Sequence, residues 1–148
     1  MFLGQYDHTI DDKGRLAIPA RFRAELAEGL YLTAGVDRCL TILTPRAWQV
    51  MAEGIANLPW LNSDARQVQR SLFAAATHLV PDKLGRVVIP QYLRTHAGLD
   101  AEVVVAGVYD RIEIWDRAAW ERSRSDFLER GPEQVQGLAE LLRPTGGT

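Results

Sequence analysis

Between Arg15 and Ile18 apolar and polar side chains alternate, the period of a half-buried strand. Gln5 to Ile10 ahead of it is also extended, and Asp11-Asp12-Lys13-Gly14 joins the two as a turn: acidic side chains bond nearby backbone and Gly14 supplies a positive φ. Pro19 suits a first helical position, where its missing N–H costs nothing. Residues 20–27 continue as a short helix with Phe22 and Leu26 four apart, stopped by Gly29. The apolar runs 30–34 and 39–43 flank Gly35-Val36-Asp37-Arg38 and read as a hairpin. Thr44 caps and Pro45 opens a helix carrying Trp48, Met51 and Ile55. After a break at Pro59, a helix capped by Asn62 or Ser63 should run to about Thr77, with Val68, Leu72 and Phe73 on its apolar side.

The pattern then starts again. A strand at 78–80, a turn at 81–85, a strand at 86–89 and a short helix from Pro90 to near Gly98 follow in order. Residues 102–106 and 111–115 make a second hairpin, and Asp116 caps a helix carrying Trp120 and Phe127 that should end at Gly131-Pro132. Residues 133–142 could add a last helix, and 144–148 should fray.

The recurrence is literal. Asp11-Asp12-Lys13-Gly14-Arg15-Leu16-Ala17-Ile18-Pro19 and Asp82-Lys83-Leu84-Gly85-Arg86-Val87-Val88-Ile89-Pro90 both read Asp, two variable residues, Gly-Arg, an apolar-x-Ile run, Pro. Arg23 aligns with Arg94 and Phe22 with Leu93; one gap later Thr41-Ile42-Leu43-Thr44 faces Glu113-Ile114-Trp115-Asp116. So long an aligned stretch indicates duplication. Each copy, about 45 residues, is near the size at which a lone core is marginal, so the two should share one core. The boundaries expected are 5–47 and 77–119 for the repeats, 48–76 for connecting helices, and 120–148 for C-terminal helices and tail.

Composition narrows the function. At 148 residues, 47% hydrophobic and 24% charged, the chain is an ordinary globular one with material for a core. Its net charge of -2 means that any affinity for nucleic acid must come from local charge. The single Cys39 excludes an internal disulfide and reads as a small buried hydrophobe. Polar residues directly after Met1-Phe2-Leu3, and the lack of a long apolar run, argue against a leader or membrane span, so a cytoplasmic location is expected. His8, His78 and His96 lack metal-ligand spacing, and no phosphate loop or nucleophile elbow is present, so no catalytic residue, metal or cofactor is expected.

What repeats is a charged turn. Lys13 and Arg15, and again Lys83 and Arg86, flank a glycine turn and begin a strand; Arg23 and Arg94 lie on the helix that follows. A rigid hairpin holding arginines at fixed geometry can enter a groove, with Arg bonding phosphate or a guanine edge bidentately. Asp11 and Asp82, four residues before the Arg, can accept from the turn backbone or clamp the guanidinium. A bland reading stands beside this one: a well-made turn with a local Asp–Arg pair.

At these residues the chain resembles the MraZ family, relatives of the AbrB-type transition-state regulators. The two Asp-x-x-x-Arg motifs and the run Arg111-Ile112-Glu113-Ile114-Trp115-Asp116 carry the likeness, which covers the chain to about Phe127. It implies an α+β fold: a swapped-hairpin AbrB-like β-barrel built from two β-β-α-β-β-α repeats, with flanking helices. It also implies a homo-oligomeric ring and a nucleoid-associated transcription regulator. Such a regulator binds short direct repeats in double-stranded DNA ahead of the division and cell-wall genes. Carried over by position, Arg15 and Arg86 lead the DNA contacts, Asp11 and Asp82 hold the motif, and Lys13, Lys83, Arg23 and Arg94 support it. Leu84 stands where Lys13 stands, so the two turns need not contribute equally. The rival class is an AbrB-type antitoxin or scaffold module that binds a protein partner.

Overall fold

The computed structural model describes residues 1–144. All but the first residue of the tail expected to fray lies outside them. The chain divides into two compact units, Met1–Arg117 and the residues from Ala118 onward.

The first unit holds eight strands. They are β1 (Phe2–Thr9), β2 (Arg15–Ala17), β3 (Leu30–Ala34), β4 (Leu40–Leu43), β5 (Thr77–Leu79), β6 (Arg86–Val88), β7 (Glu102–Tyr109) and β8 (Ile112–Asp116). Between them run α1 (Arg23–Leu26), α2 (Pro45–Ala56), α3 (Ser63–Phe73) and α4 (Gln91–His96). The caps are those the sequence signals: Thr44 Oγ1 accepts from Ala47 N at 3.1 Å, and Asn62 Oδ1 accepts from the N–H groups of Asp64 and Ala65. The extended β1 begins at Phe2 rather than Gln5, because Phe2 is a buried core residue and pairs with Tyr109. Helix α3 ends at Phe73, four residues before its expected end, because Thr77 is taken into strand pairing with Leu32.

The pairing is antiparallel throughout, and it crosses between the repeats. One sheet has the order β1-β7-β8-β4-β3-β5; β2 and β6 form a separate ribbon. The first strand of each repeat therefore lies beside the third strand of the other: β1 on β7, and β5 on β3. At the centre β4 and β8 pair with each other, Leu40 opposite Ile114 and Ile42 opposite Ile112. Exchanging the copies maps each of these pairs onto the other. The same exchange sets β3 against β7, with Leu30 and Leu32 in the places of Val103 and Val105, all fully buried.

A closed barrel, the form the resemblance implies, is not what these strands make. β1 and β5 are the two edges of an open sheet, and the β2–β6 ribbon packs separately on the core through Leu16 and Val87. The described fold is α+β with an antiparallel sheet. Its core is single and shared: Phe2, Leu16, Phe22, Leu30, Leu32 and Ile42 of one copy cluster with Val87, Ile89, Leu93, Val103, Val105 and Ile114 of the other. Burial on this scale is the main driving force, and neither copy supplies it alone. Cys39 is buried, as expected. Trp48 and Trp115 are half-buried on the margin of the core: Trp48 stacks on Tyr31 at 4.9 Å, and Trp115 Nε1 donates to Glu113 at 3.0 Å. Trp60 is 67% exposed.

The helix α5 (Arg117–Gly137) supplies most of the second unit. It runs through Pro132 instead of ending at Gly131-Pro132, and 138–142 follow as turns rather than as a separate helix. Proline restricts the residue before it largely through that residue's Cβ. Gly131 has none, and the Phe127 ring lies 2.9 Å from where one would be. The helix loses one donor at residue 132 and keeps the bonds on both sides.

Candidate nucleic-acid interface

The two Asp-x-x-Gly-Arg turns fold alike. In the first, Asp11 Oδ1 accepts from the N–H of Lys13 at 3.0 Å and of Arg15 at 2.8 Å, and Oδ2 accepts from Arg15 Nε at 2.6 Å. In the second, Asp82 Oδ1 accepts from the N–H of Leu84 at 2.9 Å and of Arg86 at 2.8 Å, and Oδ2 from Arg86 Nε at 3.0 Å. Lys13 and Leu84 occupy one position in these turns and contribute only a peptide N–H to the aspartate. That is why their different side chains leave the geometry unchanged. The Arg15 backbone N–H, then the Arg15 guanidinium, hold the Asp11 carboxyl below its ordinary range. The Arg86 backbone N–H does most of the same for Asp82. Both acids are therefore ionised at neutral pH. The stability they lend is lost only in acid, as pH falls through those lowered values.

The strands that leave the turns pair with each other. Arg15 lies opposite Val88, Leu16 opposite Val87, and Ala17 opposite Arg86. The peptide N–H of Ile18 donates to Gly85 O, and that of Ile89 to Gly14 O, both at 2.8 Å. Side chains alternate across a strand, so Leu16 and Val87 point into the core. Arg15, Ala17, Arg86 and Val88 share the outer face. Both arginines thus sit on one side of one two-stranded ribbon, related by the exchange of the copies. Each is about one-third exposed, with one edge of the guanidinium given to its aspartate. Lys13 and Lys83 are exposed at the turns.

Arg23 and Arg94 lie outside the two ribbon strands and bond to the residues that follow them. Arg23 Nε donates to Ile18 O at 2.8 Å, and Arg94 Nε to Ile89 O at 3.0 Å. Each guanidinium also covers the turn glycine of the other copy. A Cβ on Gly14 would meet the Arg94 guanidinium at 3.2 Å, and one on Gly85 would meet Arg23 Nε at 2.5 Å. These glycines hold φ of 82° and 75°. Conformation and space both require glycine there, and the cross-copy arginines lock the ribbon. Gly85→Ala should therefore cost about 1–2 kcal/mol from backbone strain alone, and lower the melting temperature by roughly 2–8 °C. Gly54→Ala, with nothing within 4 Å of the new Cβ, should not lower it. Thermal melts of the two variants side by side check this.

A groove of about 230 Å³ runs along one flank of the ribbon, lined by Arg15, Leu79, Val80, Asp82, Arg86, Val87 and Val88. The other flank carries a shallower depression lined by Asp7, His8, Thr9, Ala17, Glu102 and Arg117, where Arg117 donates to Asp7 at 2.7 Å. Sequence reading did not pick out Val80 and Val88. The alternation at 86–89 was the available signal, since it puts Val88 on the face of Arg86.

A cavity of about 730 Å³ lies away from this ribbon, beside Cys39, Arg111 and Glu113. Burial pushes the Cys39 thiol up to about 12, so it is a poor nucleophile. Arg111 is bonded to both Asp110 and Glu113. Among the described residues, no three His, Cys, Asp or Glu side chains are grouped to hold a metal. No helix among them is long and apolar enough to cross a membrane.

A chemically coherent feature thus remains: a rigid ribbon with two fixed arginines outward, lysines at its turns, and a width that a DNA major groove admits. The family model described as "MraZ protein, putative antitoxin-like" matches the chain twice, over residues 1–71 and 72–135. A transcriptional regulator MraZ from Moorella thermoacetica is 45% identical over 142 residues, covering 96% of both chains. One from Thermomicrobium roseum is 44% identical over 96% of this chain and 100% of its own. One from Roseiflexus castenholzii is 45% identical over 95% and 99%.

Proposed function

This chain belongs to the MraZ family, and on that ground we propose that it is a non-enzymatic transcription regulator whose β2–β6 ribbon binds double-stranded DNA. The names of its relatives support the regulatory role. The observation that carries the DNA reading is the placement of Arg15 and Arg86 on one outer face, opposite Val88 and Ala17 in a ribbon buried on its other side. Arg15 and Arg86 bond base edges or phosphate; Asp11 and Asp82 fix their direction; Lys13 and Lys83 add charge at the turns. Arg23 and Arg94 act through the ribbon, by bracing it. The exchange of β1 and β5 between the repeats supports reading the first unit as an opened form of a swapped-hairpin barrel.

The target is a set of short direct repeats ahead of division and cell-wall genes. The protein works in the cytoplasm on the nucleoid, as a ring of identical subunits. With a net charge of -2, and four cations on the ribbon face, a single subunit binds weakly at physiological salt; the logarithmic salt slope per subunit is roughly −2 to −4. A mobility-shift titration with the DNA upstream of the protein's own coding region, at several salt concentrations, tests the reading. A shift with that slope supports it. No shift, together with a copurifying protein, would replace it with the antitoxin reading.

A further inference from the structure

The two flanks of the ribbon are equivalent by fold but not by chemistry. Exchange of the copies carries Ala17 onto Val88, Lys13 onto Leu84 and Thr9 onto Val80, as the pairings Arg15–Val88 and Ala17–Arg86 require. One flank is thus polar or small at all three positions, with the carboxylates of Asp7 and Glu102 beside it. The other carries Val80 and Val88, 60% and 53% exposed, and the turn that leads into β6 carries Leu84, 63% exposed. Two branched aliphatics, each more than half exposed, thus stand beside the two arginines. Val80 and Val88 line the groove that also holds Arg15 and Arg86. Whatever the arginines bind is thereby pressed against an apolar wall on this side only.

We infer that the groove along β6 takes the 5-methyl groups of thymine, and that the chain therefore binds its DNA element in one orientation. This rests on the proposed DNA-binding role of the ribbon and deepens it. The arginines supply the charge complementarity that brings a duplex to this face. In the major groove thymine offers a methyl to an apolar side chain while guanine offers paired acceptors to arginine. A groove with both kinds of lining reads guanine and thymine close together. The opposite flank has no apolar wall: Thr9 and Ala17 stand there, with Asp7 and Glu102 paired to Arg117. An asymmetric reader of this kind suits elements repeated head to tail, because every copy is then met in the same sense.

The test uses a duplex that the full-length protein selects from random-sequence DNA, and the same duplex with every thymine replaced by deoxyuridine. That change removes only the methyl groups. The wild-type protein should lose roughly fourfold in affinity for each methyl contacted. A Val80→Thr/Val88→Ala variant, which gives each position the residue of its counterpart, should bind both duplexes alike, near the wild-type affinity for the deoxyuridine form. Its melting temperature should match wild type, since both side chains are exposed. Equal wild-type affinity for the two duplexes, or discrimination that survives in the double variant, would overturn the inference. An Arg15→Ala/Arg86→Ala protein separates the two levels. If wild-type binding depends on these arginines but ignores the methyl groups, only the methyl reading fails. If no duplex is selected, or the arginine variant binds as well as wild type, the DNA reading fails and this one with it.

Discussion

Replacing Arg15 and Arg86 together by alanine should remove specific DNA binding at physiological salt while leaving the fold intact. Each bidentate base contact is worth about 1–3 kcal/mol, so losing two in one subunit costs more than a weak binder can spare. The fold should survive because neither side chain reaches the core. Each is a partly exposed ion-pair partner of an aspartate that keeps two backbone donors, and such pairs add about 0–1 kcal/mol. Arginine-to-lysine variants should fail almost as badly, because lysine cannot make a forked contact or repeat the Nε bond to the aspartate. Circular dichroism melts beside binding isotherms separate loss of contact from loss of fold. Wild-type affinity in the double variant would remove these residues from the interface.

The second large effect should come from the number of repeats in the DNA. The proposed ring would present the same ribbon several times, so once one subunit is bound the next contact would be intramolecular. Linkage of this kind raises affinity by about 10²–10⁴ without any new type of contact. A fragment carrying three repeats should therefore bind far more tightly than one carrying a single repeat of equal length. Shifting one repeat by half a helical turn should cost nearly as much as deleting it, because its groove then faces away from the neighbouring subunit. Titrations at matched salt decide this; equal affinity for one repeat and three would dismiss avidity.

The turns, the duplication and the shared core were legible because each has a local signature. Asp, Gly and Arg at fixed spacing define the turn, and Leu16 and Val87 announce the buried side of their strands. The pairing was not legible. A period of two tells which face of a strand is buried but not which strand lies beside it. Nothing in Phe2 to Thr9 says that it joins β7 of the other copy rather than a strand of its own. The roles of Arg23 and Arg94 were hidden for the same reason. Their carbonyl partners are five residues away in the chain, but the glycines they cover belong to the opposite repeat. Helix α5 was misread at Pro132 because proline is a strong stop signal, and the relief that Gly131 gives it depends on a missing Cβ. The apolar flank of Val80 and Val88, with Leu84 at its turn, was visible as composition; only the ribbon register set it against Thr9, Lys13 and Ala17.

Amide hydrogen exchange of the full-length protein, free and saturated with a duplex carrying its repeats, tests the central claim most directly. Protection on binding should concentrate at residues 11–17 and 82–88, with α5 and the strands of the six-stranded sheet unchanged. Protection confined to other elements, with both turns exchanging as in the free protein, would contradict the assignment of the ribbon as the DNA-binding surface.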